Sequence, residues 1–111
     1  MKRTASRRSH RLADQIAREM DLALLEDVRD PLLVLVTISG VTLNADLSIA
    51  QVFYTLSGDE ARLAAAQKAL DQARGFLRTQ LGKRLAMKFV PDLRFSRDTY
   101  LEDMVYARPE A

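Results

Sequence analysis

Residues 33–56 read LVLVTISGVTLNADLSIAQVFYTL, and this stretch decides the fold. Two runs rich in β-branched and aromatic residues, 33–43 and 48–56, flank the turn-forming residues Asn44-Ala45-Asp46. This pattern predicts a β-hairpin. Gly40 interrupts the first run, and a glycine inside a strand pattern indicates a β-bulge. The remaining segments must therefore pack around a central hairpin.

An amphipathic helix is predicted before the hairpin. Apolar residues recur there at every fourth position, at Leu12, Ile16, Met20 and Leu24. That spacing places them on one helix face. Ser9 suits the N-cap position, and Asp30-Pro31 should end the helix because proline cannot continue the hydrogen-bond ladder. Residues 1–8 lack periodicity, so we expect a flexible basic arm there.

A second helical region is predicted after the hairpin. Its apolar stripe consists of Leu63, Ala66, Leu70, Ala73, Leu77, Leu81 and Leu85. The stripe keeps its phase, but Gly75 costs about 1 kcal/mol relative to alanine in a helix interior. We therefore predict two helices with a kink at Ala73-Arg74-Gly75. Residues 87–95 are predicted to form a last strand, which Pro91 should make an edge or bulged strand.

The predicted order of elements is αββααβ, which indicates an α+β fold with a three-stranded sheet covered on one face by helices. A chain of 111 residues suits one domain. We expect that domain at residues 9–98 and a short C-terminal tail at 99–111. The predicted core comprises Leu12, Ile16, Met20, Val36, Ile38, Val52, Tyr54, Leu70, Leu77, Leu81 and Phe95. Phe53 and Phe76 are also expected to be core residues.

The composition is that of an ordinary folded domain, with 48% hydrophobic and 29% charged residues. Cysteine is absent, which excludes disulfide scaffolds, thiolate nucleophiles and cysteine zinc sites. No apolar run approaches the roughly 20 residues that cross a bilayer. The basic N-terminus precedes an acid-containing amphipathic segment rather than a secretory apolar stretch. We therefore expect a cytoplasmic protein.

Residues that could carry catalysis are scarce. His10 is the only histidine in the chain, and between Ser9 and Arg11 it is expected at the surface. No serine lies in a Gly-x-Ser-x-Gly motif, and no glycine-rich phosphate loop is present. We predict no catalytic residue, no metal site and no cofactor.

Charges are sorted along the chain although the net charge is only +2. Residues 1–18 contain six Lys or Arg and one acid, whereas residues 19–73 contain three basic and nine acidic residues. Residues 74–91 contain five basic residues and no acid. Such sorting can attract a polyanion to one surface. The alternative interpretation is a solvated charged face without a partner.

The predicted junction at Ala73-Arg74-Gly75 also has two interpretations. A helix that begins there would present unpaired N–H groups, and the glycine would let a phosphate backbone approach closely. Alternatively, Gly75 only breaks the helix, and the neighbouring arginines cover apolar surface with their stems. The spacing alone leaves both interpretations open.

An ordered series of stretches resembles the ribosome-binding factor A family. They are residues 11–16, Asp30-Pro31 with 36–41, 46–52, 73–78 with 81–85, and 90–95. The resemblance implies a type II KH-like fold, in which Ala73-Arg74-Gly75 replaces the usual Gly-x-x-Gly loop. It also implies a bacterial-type assembly factor of the small ribosomal subunit that acts in late rRNA processing and in cold adaptation. Leu32 departs from the family, which often has a basic residue after Asp-Pro.

We therefore predict a non-catalytic RNA-binding factor, monomeric when free, whose partners are the small ribosomal subunit and its ribosomal RNA, with no membrane. Phosphate contacts are expected from basic residues of the arm and first helix, namely Lys2, Arg3, Arg7, Arg8 and Arg11. A second set surrounds the kink and comprises Ala73, Arg74, Gly75, Arg78, Lys83, Arg84 and Lys88. Both Arg78 and Arg84 are expected at the surface.

Two other functions remain open at this point. A sequence-specific DNA-binding protein is possible because helix–glycine–helix also suggests a helix-turn-helix. A protein-interaction module could instead accept a partner strand at the edge of its sheet.

Overall fold

A computed structural model describes residues 7–101 of the chain. Its elements are α1 (Arg7–Glu26), a 3-10 turn (Pro31–Leu33), β1 (Thr37–Leu43), β2 (Ile49–Thr55), α2 (Glu60–Leu85) and β3 (Asp92–Arg97). The α+β class is confirmed. Lys2, Arg3 and most of the predicted C-terminal tail lie outside the described residues.

The sheet has the strand order β1-β2-β3, with β1 antiparallel and β3 parallel to β2. The predicted hairpin is confirmed, and its turn is held by Asn44 Oδ1, which accepts from Ile49 N at 2.8 Å. The register shifts between Ile38 and Gly40, so the predicted bulge is also present. β3 is an edge strand, as predicted.

Two strand boundaries differ from the prediction. β1 begins at Thr37 rather than Leu33, because Asp30 Oδ1 accepts from Leu32 N at 2.9 Å and starts the 3-10 turn. β3 begins at Asp92 rather than residue 87. The chain first has to leave α2, and it does so through Ala86 in the left-handed conformation.

The bounds of α1 also differ from the prediction. The helix begins at Arg7, so Ser9 is not its N-cap, and Arg7 and Arg8 belong to the helix rather than to an arm. Arginine is a good helix former, and nothing in these residues interrupts the ladder. The helix ends at Glu26, before Asp30-Pro31.

The core lies between the sheet and the two helices. Most of the predicted core residues are buried, namely Ile16, Met20, Val36, Val52, Tyr54, Leu70, Leu77, Leu81 and Phe95. Leu12 and Ile38 are partly buried against them. The buried Tyr54 hydroxyl donates to Gln67 Oε1, and Gln67 Nε2 donates to the Phe95 carbonyl at 3.1 Å. The buried hydroxyl of Tyr54 therefore has a hydrogen-bond partner inside the core.

The second helical region is one helix. α2 runs for 26 residues through Ala73, Arg74 and Gly75, so the predicted division into two helices is wrong. Leu70 and Leu77, on either side of Gly75, are both fully buried. Each buried leucine contributes about 1.5–3 kcal/mol, which outweighs the cost of one glycine.

Arg84 joins the end of α2 to the acidic half of α1. Its guanidinium contacts Glu26 at 2.7 Å, Asp27 at 3.1 Å and Glu19 at 3.3 Å. Gln80 Nε2 also donates to Asp27, at 3.2 Å. We call Arg84 with these three carboxylates the Arg84 cluster. Acids in the C-terminal half of a helix are disfavoured by the helix dipole, and the guanidinium compensates for that placement.

The cluster shifts two ionisation equilibria. The hydrogen bonds from Arg84 and then from Gln80 hold the pKa of Asp27 below its usual value. The bond with Asp27, followed by that with Glu26, raises the pKa of Arg84. The side chain of Arg84 is only 20% exposed, so the expectation that it lies freely at the surface is wrong.

We predict that Arg84→Ala lowers the melting temperature, because it leaves three neighbouring carboxylates without their counter-charge. Lys68→Ala is the matched control, since it removes the same charge from an exposed position of the same helix. Thermal unfolding monitored by circular dichroism measures both. Equal melting temperatures for the two variants would show that the cluster does not stabilise the fold.

We further predict that the difference in stability between the unchanged chain and Arg84→Ala depends on pH. The pKa of Asp27 is lower in the folded state, so its contribution is present above the usual value of 3.8 and is lost as the pH falls through the folded value. The difference in stability between the unchanged chain and Arg84→Ala should therefore become smaller at acidic pH. Melting temperatures across an acid-to-neutral series test this, and a constant difference would contradict it.

Candidate nucleic-acid interface

An open groove of about 340 Å³ lies between α2 and the segment that leads into β3. Its walls are formed by Gly75, Arg78 and Thr79 of α2 and by Lys88, Phe89 and Val90 of that segment. We call it the Gly75 groove. It brings together three residues that the sequence predicts as phosphate contacts, namely Gly75, Arg78 and Lys88.

Arg78 is held in place at the wall of the groove. Its Nε and Nη2 atoms donate to the Val90 carbonyl oxygen at 3.1 and 2.9 Å. The acceptor is neutral, so the positive charge of the guanidinium is not compensated by this contact. An arginine has further N–H donors beyond the two used here. Arg78 is therefore an oriented cation on an exposed surface.

The surroundings of Asp92 show that the groove has a positive rim. The pKa of Asp92 is lowered first by a hydrogen bond from Arg94, at 3.0 Å, and also by the charges of Arg74 and Arg78. Lys88 lies on the opposite wall and is exposed. Among the residues that line the groove, Arg78 and Lys88 are cationic and none is acidic.

Gly75 leaves the backbone of α2 bare at the groove. A Cβ atom at this position would have no neighbour within 4 Å, so packing among the described residues does not require a glycine. Its carbonyl accepts from Thr79 Oγ1 at 3.1 Å. Because α2 is continuous, no helix begins at Gly75. Of the two interpretations of this junction, the one with unpaired N–H groups at a helix start is therefore wrong, whereas the open approach to the backbone is present.

The basic residues of α1 lie at the same end of the sheet as the groove. Arg7, Arg8 and Arg11 are exposed on the first turns of α1, and neighbouring residues of those turns line a pocket with Val41–Leu43 of β1. In the register of the sheet, Leu43 at the end of β1 pairs with Ala50 near the start of β2. Ile49 at the start of β2 pairs with Asp92 at the start of β3. Arg7, Arg8 and Arg11 therefore lie toward the same end of the sheet as Arg78 and Lys88, at its opposite edge.

Four residues of the predicted set around the kink do not line the groove. Arg74 is partly buried, and its charge acts on Asp92. Arg84 belongs to its cluster, where phosphate would have to displace three carboxylates, so we assign it to stability. Lys83 is exposed, and its charge acts on Asp27 of the same cluster. Ala73 is partly buried against the core.

Sequence reasoning missed the aromatic component of this surface. Phe89 lines the groove and is 81% exposed. Phe76, expected in the core, is 49% exposed but does not line the groove. Residue 89 lies in a stretch predicted as a strand, where burial depends on which face the residue takes. The neighbouring Lys88 was the only available signal, and it is a weak one. Arg94, whose charge also reaches Asp92, was missed as well.

Other kinds of site find no support in residues 7–101. No three His, Asp or Glu side chains in this part of the chain are placed to hold a metal ion. Neither of its helices has the length and apolar character of a membrane-spanning segment.

Comparisons with known proteins point to one family. Residues 8–108 match the family model described as ribosome-binding factor A. A ribosome-binding factor A from Thiobacillus denitrificans is 41% identical over 95 residues, which is 86% of this chain and 77% of that protein.

Solved structures agree with the sequence comparison. The crystal structure of ribosome-binding factor A from Thermus thermophilus matches with a TM-score of 0.71 and 28% identity, over 80% of this chain and 94% of that one. A homology model of the Thermus thermophilus protein, fitted into a cryo-electron-microscopy map of a 30S–RbfA complex, matches with a TM-score of 0.66 at 28% identity, over 79% of this chain and 92% of that one. The KH-like fold is thereby confirmed.

We predict that Gly75→Ala stabilises the protein by about 1 kcal/mol, because alanine is the better helix former and its methyl group meets open space. Gly82→Ala is the control, since its Cβ would lie 2.9 Å from Val90 Cγ2 and should gain less. Urea unfolding gives both free energies. If the Gly75→Ala variant is less stable than the unchanged chain, the added methyl group does not meet open space and the prediction is wrong.

Proposed function

Because this chain belongs to the ribosome-binding factor A family, we propose that it is a non-catalytic assembly factor of the small ribosomal subunit. It binds the subunit and its ribosomal RNA during late maturation, and therefore acts in the cytoplasm. Its absence impairs rRNA processing, most severely in the cold. The positive Gly75 groove is the observation that supports direct RNA contact.

The groove suits the phosphate backbone of RNA. Arg74, Arg78 and Lys88 supply positive charge around it, and the bare backbone at Gly75 permits close approach. Contacts of this kind position a protein on RNA without reading its sequence. Selectivity then comes from the shape of the RNA and from neighbouring ribosomal proteins.

The first turns of α1 extend the proposed contact. Arg7, Arg8 and Arg11 are exposed at the groove's end of the sheet, and Lys2 and Arg3 precede them in sequence. We propose that these residues bind phosphates of the same RNA. Two basic sets at one end of the sheet hold the protein in one orientation.

The two other functions are less well supported. The case for a DNA-binding helix-turn-helix depended on a break at Gly75, and α2 has no such break. A module that accepts a partner strand would use the exposed edge of β1 or β3, and the cations around the groove would then have no role. Salt dependence separates this last possibility from RNA binding.

We predict that the double variant Arg74→Ala with Lys88→Ala binds the small subunit more weakly than the unchanged chain. The variant loses two phosphate contacts, which should reduce the slope of log affinity against log salt by about 1.4 for unpaired RNA. Co-sedimentation with purified small subunits through sucrose gradients, repeated at several salt concentrations, measures both effects.

The control is Arg29→Ala with Lys68→Ala, which removes the same charge from exposed positions outside the groove. If both double variants bind alike, the groove is not the contact. Competition between ribosomal RNA and duplex DNA completes the test. A preference for the duplex would contradict the proposed function.

A further inference from the structure

Phe89 has an exposure that its hydrophobicity does not explain. Its side chain is 81% exposed, more than any other large hydrophobic residue among the described ones, whereas Phe95 in the core is 7% exposed. A ring in this position contributes little to the core. A single exposed apolar side chain is common on protein surfaces, so the case for a partner depends on the cationic residues that line the groove beside Phe89.

The segment that carries the ring is held rigidly on α2. The Val90 carbonyl accepts both hydrogen bonds from Arg78, and the Val90 side chain packs so closely on Gly82 that a Cβ there would lie 2.9 Å away. Lys88 Nζ lies 5.6 Å from the centroid of the Phe89 ring, within the range of a cation–π contact. The aromatic surface is therefore presented in a defined place beside fixed positive charge.

From this arrangement we propose that Phe89 stacks on one unpaired nucleobase of RNA, while Lys88 and Arg78 contact the phosphates next to it. The inference rests on the proposed function and adds to it the class of nucleotide that the groove accepts. Stacking on exposed aromatic side chains is the usual way in which proteins hold bases of single-stranded RNA. Every base offers a π-face, so the contact tolerates different sequences.

The expected ligand is unpaired rather than double-helical RNA. In a duplex the faces of the bases are covered by their neighbours, and the ring could reach only the backbone. A loop, bulge or unfolded strand exposes a base face next to its phosphates. The groove provides an aromatic ring for the base face and neighbouring cations for the phosphates.

The test uses Phe89→Trp as a reporter of stacking. The chain contains no tryptophan, so the introduced indole is the only one, and stacking on a base should quench its emission. Titration with a short single-stranded oligoadenylate should give saturable quenching. A fully paired RNA duplex and inorganic phosphate, at matched phosphate concentration, should leave the emission almost unchanged.

Phe89→Leu supplies the affinity measurement, because leucine keeps an apolar side chain but has no π-face. We expect this variant to bind the single-stranded oligonucleotide about 10-fold more weakly, in line with the loss of one stacked base. Its melting temperature should be unchanged. Tyr100→Leu is the control, since it removes an aromatic side chain that is 74% exposed outside the groove.

Two results would overturn the inference. Phe89→Leu could bind the oligonucleotide as tightly as the unchanged chain, or inorganic phosphate could quench the indole as strongly as the oligonucleotide. In the first case, a loss of binding to assembled subunits by the same variant would place a ribosomal protein against Phe89. In each case, co-sedimentation of the double variant Arg74→Ala with Lys88→Ala still tests the proposed function separately.

Discussion

The burial of one leucine stripe on α2 determines what the rest of that helix can do. Leu70, Leu77 and Leu81 are fully buried, which fixes the rotation of the helix about its axis. With that rotation fixed, Gly75, Arg78 and Thr79 line the groove. Gln80 and Arg84, four residues apart and so on one helix face, both reach Asp27, which directly follows α1. The candidate site and the main ion cluster are therefore two results of one packing constraint.

The elements that could be predicted from the sequence are those in which local preference and burial agree. The hairpin has β-branched strands and a polar turn, and its bulge lies beside Gly40. The prediction failed at Gly75, where a local preference for breaking the helix conflicts with a continuous apolar stripe. Burial prevailed there. The prediction of β1 failed at Leu33 because capping by Asp30 outweighed β-branched composition.

The candidate site was predictable in its cations but not in its aromatic ring. Arg78 and Lys88 stand in a run without acids, which is visible in the sequence. The role of Arg84 depends on Glu19, 65 residues away, and no local pattern reports such a contact. For Phe89 the obstacle is different, since an aromatic residue near a strand is normally buried. Only the three-dimensional structure shows that its ring is exposed.

The Arg84 cluster, with three carboxylates for one guanidinium, also has a kinetic consequence when it is considered together with the positive groove. A small body with separated charges experiences a torque in the field of a polyanion, in addition to attraction. If the groove binds RNA as proposed, the molecule would turn this surface toward RNA before the surfaces touch. The rotation would act within about 8 Å of the RNA at physiological ionic strength and would increase the fraction of productive collisions.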